Sequence, residues 1–347
     1  MNRRPKKWII ISLAATMFML CLIWILDPFG SKSPLDSNTK EVQLKLEINN
    51  LKGTDLISDT ALFNQYLSEE SEVLELLTNN YKTYNSLDTS IIQVWKSYFA
   101  QDYVKETEKE IRNVFKSYVQ ESSEIVEAFK RLKHHFPEKE YPKKIILTNT
   151  NFGGNVYLEN GTIIVGTERY IGGNKKVIQN SLPPDAFPQW LKSGFEKKYL
   201  LRDLLMSTLI YNNTIPDSEQ EFLISKIIEW GKICVITEMA LRLGNEDIKP
   251  EILLRWSVDQ YNWAEKNEKA LWKYLKTNKL LFSRNEKDHA FILNNGPYTI
   301  GFSEQSPDRL GQYLGWKMVR NYIFEEEISL SEIVKLDYKT ILKKYNP

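Results

Sequence analysis

The 347-residue chain is poor in the residues from which reactive sites are most often built. Two cysteines cannot staple a disulfide scaffold or supply a cysteine-rich zinc module. Three histidines, His134, His135 and His289, leave little material for a metal site or a histidine-based triad. His134 and His135 are adjacent, so on a helix they point about 100° apart and do not chelate one ion together. Glycine is also scarce, at 15 residues, and neither G-x-G-x-x-G nor G-x-x-x-x-G-K-[ST] occurs, which excludes the usual nucleotide-binding loops. H-E-x-x-H and G-x-S-x-G are absent as well. No large excess of either charge is present: 46 basic side chains face 45 acidic ones, so nothing in the body reads as a nucleic-acid footprint. What the chain does have is aromatic mass. Nine tryptophans and 18 tyrosines can fill a large core, and a charged fraction of 26% is that of a globular protein rather than a disordered one.

The charge that exists is unevenly placed. Arg3, Arg4, Lys6 and Lys7 precede an uncharged run from Trp8 to Leu26, WIIISLAATMFMLCLIWIL, which Asp27-Pro28 ends. As a helix this run reaches roughly 28 Å, close to the hydrocarbon thickness of a bilayer. The basic flank keeps the N-terminus in the cytoplasm and puts the rest outside, a single-pass arrangement in the cell membrane with the globular part on the periplasmic side. Two alternatives compete with an uncleaved anchor: cleavage as a signal peptide, and lipidation at Cys21 after cleavage. The small residues Ala14, Ala15 and Thr16 lie mid-run, and Leu20 stands before Cys21 where a small residue is wanted.

Three segments follow from composition: an anchor at 1–26, a Pro/Gly/Ser-containing linker at 27–40, and a globular part at 41–347. In EVQLKLEI, Val42, Leu44, Leu46 and Ile48 alternate as in a half-buried strand. A helical pattern runs from about Ser58 to Phe136, where Pro137 and Pro142 stop it; Ile125, Phe129, Leu132 and Phe136 share a face. IILT (145–148) and VYLE-NG-TIIV are strands, the latter two a hairpin closed by Asn160-Gly161. A helix from Glu219 to Leu243 ends at Gly244, a natural C-terminal cap. Ser257 to Gln260 reads as a capping box, and Ser306-Pro307-Asp308 as the start of a last long helix with Leu310, Leu314, Val319 and Ile323 on one side. Gly311-x-x-x-Gly315 in that helix indicates close helix packing around Trp316. The fold class expected is α+β, mainly α: a helical body with a small antiparallel sheet.

Chemistry is harder to find. Cys234 sits in an apolar stripe and reads as a buried, inert thiol. The densest stretch is GPYTIGFSEQSPDRLGQYLGWKMVRNY (296–322), where Glu304 and Arg309 are either binding groups or each other's partners. A small anionic ligand at this helix start is a further reading.

This same stretch resembles the C-terminal signature of GldB, the gliding-motility lipoprotein family of Bacteroidota. Other blocks agree in order: FKRLKHHFPEKEYPKKIILT, IIVGTERYIGG, YLLRDLLMS, ISKIIEWGKICVITEMAL and WAEKNEKALWKYLKTNKLLFS. The likeness covers most of residues 42–347. It implies a fold remotely like that of zinc peptidases but without the metal motif, because the helix at Arg202-Asp203 has no histidine where such enzymes carry H-E-x-x-H. It also directs attention to Glu168, Asp203, Lys232, Asn267, Glu268, Glu304, Arg309 and Trp316 as interaction residues. The sequence departs from the family at Trp230, where a glutamate precedes Gly-Lys in relatives; Glu229 is one position early, about 100° around the helix. The resemblance implies a membrane-anchored envelope protein that needs no cofactor or metal, binds other envelope proteins of the gliding and secretion apparatus, and catalyses nothing. The competing expectation is an atypical hydrolase of envelope peptides or glycans, with Glu168, Asp203, Glu229 and Glu304 as its carboxylates; it requires two of them to face each other at about 5–10 Å.

Overall fold

The computed structural model describes residues 33–82, 90–215, 221–242 and 249–347. The Trp8–Leu26 segment, Cys21 and Gly244 lie outside the described residues. Among those described, no helix is long and apolar enough to cross a membrane. The chain divides into two units, Met1–Asp36 and Ser37–Pro347. In the first, residues 33–36 form a turn in which the Asp36 amide donates to the Ser33 carbonyl (2.8 Å) and the Ser33 amide to the Asp36 carboxylate (2.9 Å).

The second unit holds four strands: β1 (Glu47–Asn50), β2 (Lys144–Thr148), β3 (Val156–Glu159) and β4 (Thr162–Gly166). Between β1 and β2 run α1 (Gly53–Ser58), α2 (Thr60–Glu69), α3 (Ser71–Tyr81), α4 (Ile91–Phe99), α5 (Asp102–Phe115) and α6 (Val119–His135). After β4 come a 3₁₀ turn (Thr167–Tyr170), α7 (Lys176–Ser181), α8 (Gln189–Lys192), α9 (Leu200–Tyr211), α10 (Leu223–Leu241), α11 (Pro250–Leu254), α12 (Val258–Thr277), α13 (Glu286–Leu293), α14 (Leu310–Glu326), α15 (Leu330–Ile333) and α16 (Tyr338–Lys344). Among the described residues helix accounts for 59% and the sheet has four strands, so the class is α+β, mainly α.

The sheet is mixed, not antiparallel as its hairpin had implied. Its order is β1-β2-β4-β3, with β1 parallel to β2, β2 parallel to β4 and only β3 antiparallel to β4. A parallel pair needs a long crossover, and α1 to α6 supply it. The clue lay in IIL and IIV, unbroken apolar runs of strands buried on both faces; Ile145, Ile146, Leu147, Ile163, Ile164 and Val165 are all buried. The expected strand from Val42 is also shorter: the ladder begins at Glu47, whose amide donates to the Lys143 carbonyl (3.0 Å). The donor that would extend the ladder one step earlier, the Lys143 amide, goes instead to the Gly161 carbonyl (3.0 Å). Asn160 and Gly161 turn the hairpin with φ of 45° and 81°, both positive, as a type I′ turn requires.

Two cores follow. Tyr81, Trp95, Tyr98 and Phe99 pack with Leu74 and Leu77 against Ile146 and Ile164, the rings of Tyr81 and Tyr98 stacked at 4.2 Å. The other centres on α10, which is buried along nearly all of its length. It crosses α14 at backbone contact: a Cβ on Gly315 would stand 1.9 Å from the Ile227 carbonyl, and one on Gly231 2.1 Å from that of Gly315. Trp316, beside this crossing, is buried.

Local signals succeed where no distant group competes. Ser257 and Gln260 form the capping box of α12. Ser306-Pro307-Asp308 does not open a helix; α14 starts at Leu310, behind Arg309 in a left-handed conformation (φ 52°). The Asp308 carboxylate is drawn away to the Trp256 indole N–H (3.1 Å) and the Gly296 amide (3.1 Å), and the Pro307 carbonyl accepts from Thr299 Oγ1 (2.8 Å).

Candidate functional site

Two buried aspartates organise the region where α9, α11 and the start of α14 meet. Asp203 stands in the first turn of α9, where the helix dipole favours an anion. Its Oδ1 accepts from Arg202 Nη1 (2.9 Å). Its Oδ2 accepts from Arg255 Nη1 (2.9 Å), the Tyr170 hydroxyl (3.0 Å) and Asn155 Nδ2 (3.1 Å). Burial pushes this carboxyl up, but Arg255 and Arg202 outweigh it and hold the group below the usual aspartate value. Asp308 is the second anchor. Arg309 meets it in a two-point pair, Nε to Oδ2 at 2.9 Å and Nη2 to Oδ1 at 3.0 Å.

Between these pairs lies a cleft of about 380 Å³, lined among others by Trp190, Tyr199, Arg255, Trp256, Pro297 and Arg309. Arg255 is left-handed (φ 54°) at the end of α11, donates to the Gly194 carbonyl, and lies 5.0 Å over the Tyr199 ring. Trp190 is the exposed aromatic of the wall, at 37%. Fixed guanidinium groups beside aromatic faces suit carboxylates and flat polar groups, which they bind by directed hydrogen bonds and stacking.

Of the eight residues expected to interact, Arg309 lines this cleft and Asp203 supports it from behind through Arg255. The others do not gather there. Glu168 is fully buried in the turn after β4; its Oε1 accepts from Thr150 Oγ1 (2.7 Å) and the Phe152 amide (2.8 Å), Oε2 has no partner among the described residues, and burial raises its pKa. Lys232 donates to the Val334 (3.2 Å) and Leu336 (2.7 Å) carbonyls, capping the short α15; burial lowers it to about 8. Glu268 accepts from the hydroxyls of Tyr313 (2.9 Å) and Tyr345 (2.7 Å). Asn267 turns back onto the Trp263 carbonyl (2.8 Å). Trp316 donates to Glu238 Oε2 (2.8 Å), while Glu238 Oε1 accepts from Arg320 Nε (3.1 Å). Glu304 is exposed and is not the partner of Arg309, which takes Asp308 instead.

The carboxylates offered for hydrolysis are likewise scattered or paired: Glu229 bridges to Lys226 (2.9 Å) and Asp203 to two arginines. Among the described residues, no three His, Cys, Asp or Glu side chains are grouped to hold a metal ion. Cys234 is buried, and burial pushes its thiol up to about 12. Sequence reasoning missed Arg255, Trp256, Tyr170 and Asp308 as one constellation. Tyr170 and Asp308 lay inside blocks already singled out, but nothing local joined them to Arg255.

A model of the family described as gliding motility protein GldB matches residues 32–347. No curated protein and no solved structure matches the chain.

Proposed function

The chain belongs to the gliding motility protein GldB family, and from this we propose that it is an anchored envelope component that works by holding other proteins of the gliding and secretion apparatus. The family ties it to gliding motility, and the family's lipoprotein name to the envelope. The anchor is the Trp8–Leu26 run, with lipidation at Cys21 as the other means of attachment. Binding is assigned to the cleft beside Arg255 and Arg309, with Trp190 as its exposed wall.

One observation carries the choice of binding over turnover: the two aspartates that hold the cleft's arginines are consumed. Asp203 and Asp308 each accept four hydrogen bonds from side chains or backbone. A carboxylate so held is a poor proton carrier, but it fixes the arginines that face a partner. The hydrolase reading retains a single specific support, the buried Glu168 with its unpartnered oxygen.

A deletion strain scored for motility and secretion tests the proposal. The full chain should restore both. A chain lacking residues 1–26 should be recovered in the soluble fraction and fail to restore them. Trp190→Ala should fold with an unchanged thermal midpoint yet lose crosslinked envelope partners. Turnover of cell-wall peptides or glycans by the purified full chain would replace this reading with the hydrolytic one.

A further inference from the structure

The sheet ends on β1, and among the described residues no strand pairs with its outer side. In the parallel register Glu47↔Lys144, the amides of Glu47 and Leu51 donate to the carbonyls of Lys143 (3.0 Å) and Leu147 (2.9 Å). Backbone groups of a strand alternate sides. Those of Ile48 and Asn50 therefore point away from β2. An exposed edge of this kind is normally blunted by proline, a bulge or an inward charge. β1 is short, at four residues, and carries the charge of Glu47, but Glu-Ile-Asn-Asn contains no proline and no lysine.

The space beside this edge is shaped for a chain. A groove of about 350 Å³ lies between β1 and α2, walled by Leu62, Gln65, Tyr66 and Glu69. It adjoins a larger hollow of about 840 Å³ at the start of the strand, with which it shares Glu47, Glu69, Glu70 and Lys144. Glu70 and Lys144 neutralise each other at 2.6 Å. That leaves Glu47, Asp55 and Glu69 against Lys52 on the groove, an acidic balance with Leu62 and Tyr66 as apolar patches.

We propose that the open edge of β1 captures an extended segment of a partner protein as a fifth strand, one with a basic side chain at every second position. Backbone pairing supplies the affinity in such strand addition, and alternate side chains supply the selectivity. The basic positions, all on the face that Glu47 shares with α2, answer Glu47 and Glu69 and lay their aliphatic stems over Leu62 and Tyr66. A second copy of this chain is a poorer occupant, because it would bring Glu47 and its acidic neighbours to an edge that is already acidic. This inference rests on the binding role above and names a second surface for it, separate from the arginine cleft.

The test uses the purified full chain in detergent and two synthetic heptapeptides, one alternating lysine and valine, the other glutamate and valine. The lysine peptide should bind at least tenfold more tightly at low salt and slow amide exchange within 47–51. N-methylation of its alternate amides should abolish binding, since it removes pairing donors without touching the protein. Ile48→Pro should do the same while leaving the β1–β2 ladder and the thermal midpoint intact, because its amide faces outward; if that variant misfolds, the N-methylated peptide still decides. Equal binding of the glutamate peptide, full binding of the N-methylated one, protection elsewhere in the chain, or a dimer formed through this edge would each overturn the proposal. A negative peptide result alongside full rescue of motility by the wild-type chain would overturn the edge and leave the family-level binding role standing.

Discussion

At the scale of single residues, tryptophan and lysine show how one environment sets two behaviours. Trp316 is 5% exposed and donates its only polar proton to Glu238. Trp316→Ala should cost about 3–5 kcal/mol by urea unfolding, since it opens a cavity and strips a buried carboxylate of a donor. Lys232 is buried under two carbonyls and held at about 8, against 10.5 in an open environment. Between those values the unfolded chain binds more protons than the folded one, so stability rises with pH across that window. The gap between wild type and Lys232→Met, followed by chemical denaturation from pH 7.5 to 10, should shift in favour of wild type as pH climbs. Cys234 was legible as an inert thiol because an apolar stripe is a local pattern. The roles of Lys232, Glu268 and Asn267 were not, because each is spent on a group that a short motif does not contain.

Elements were legible in proportion to how local their causes are. The Asn160-Gly161 turn and the Ser257 capping box need only residues within three or four positions, and both formed as read. The start of α14 was misplaced by three residues because Asp308 answers Trp256 and Gly296 rather than its own helix. Two glycines separate conformational strain from collision. Gly161 has open space around it and a positive φ, so Gly161→Ala should cost about 1 kcal/mol. At Gly315 the new methyl would meet the Ile227 backbone, which yields only by parting α10 from α14; Gly315→Ala should cost about 3 kcal/mol. Equilibrium urea curves on both variants check the ordering, and a milder Gly315→Ala would mean the helices slide apart without penalty.

For the whole molecule, Asp203 is the most informative lever, since it joins the turn after β4 through Tyr170, α9 through Arg202, and the end of α11 through Arg255. Asp203→Asn should cost about 3–5 kcal/mol near neutral pH by leaving buried arginines short of charge. The folded group titrates below its ordinary value, so its contribution is full above that value and fades as pH falls through the folded one. The deficit of the variant should accordingly shrink on acidification from pH 5 toward 2.5. What the sequence by itself determined is the mainly helical class, the hairpin, the capped helices, the close glycine crossing and the family, each carried by neighbours along the chain or by motifs in order. Tertiary structure alone decided the parallel pairing of β1, β2 and β4, the open edge of β1, and the meeting of Asp203 with Arg255 and of Asp308 with Trp256. Those depend on contacts between residues 18 apart for β2 with β4, 52 apart for the two aspartates, and 97 apart for β1 with β2, and pairings at such separations leave no periodicity behind in the sequence.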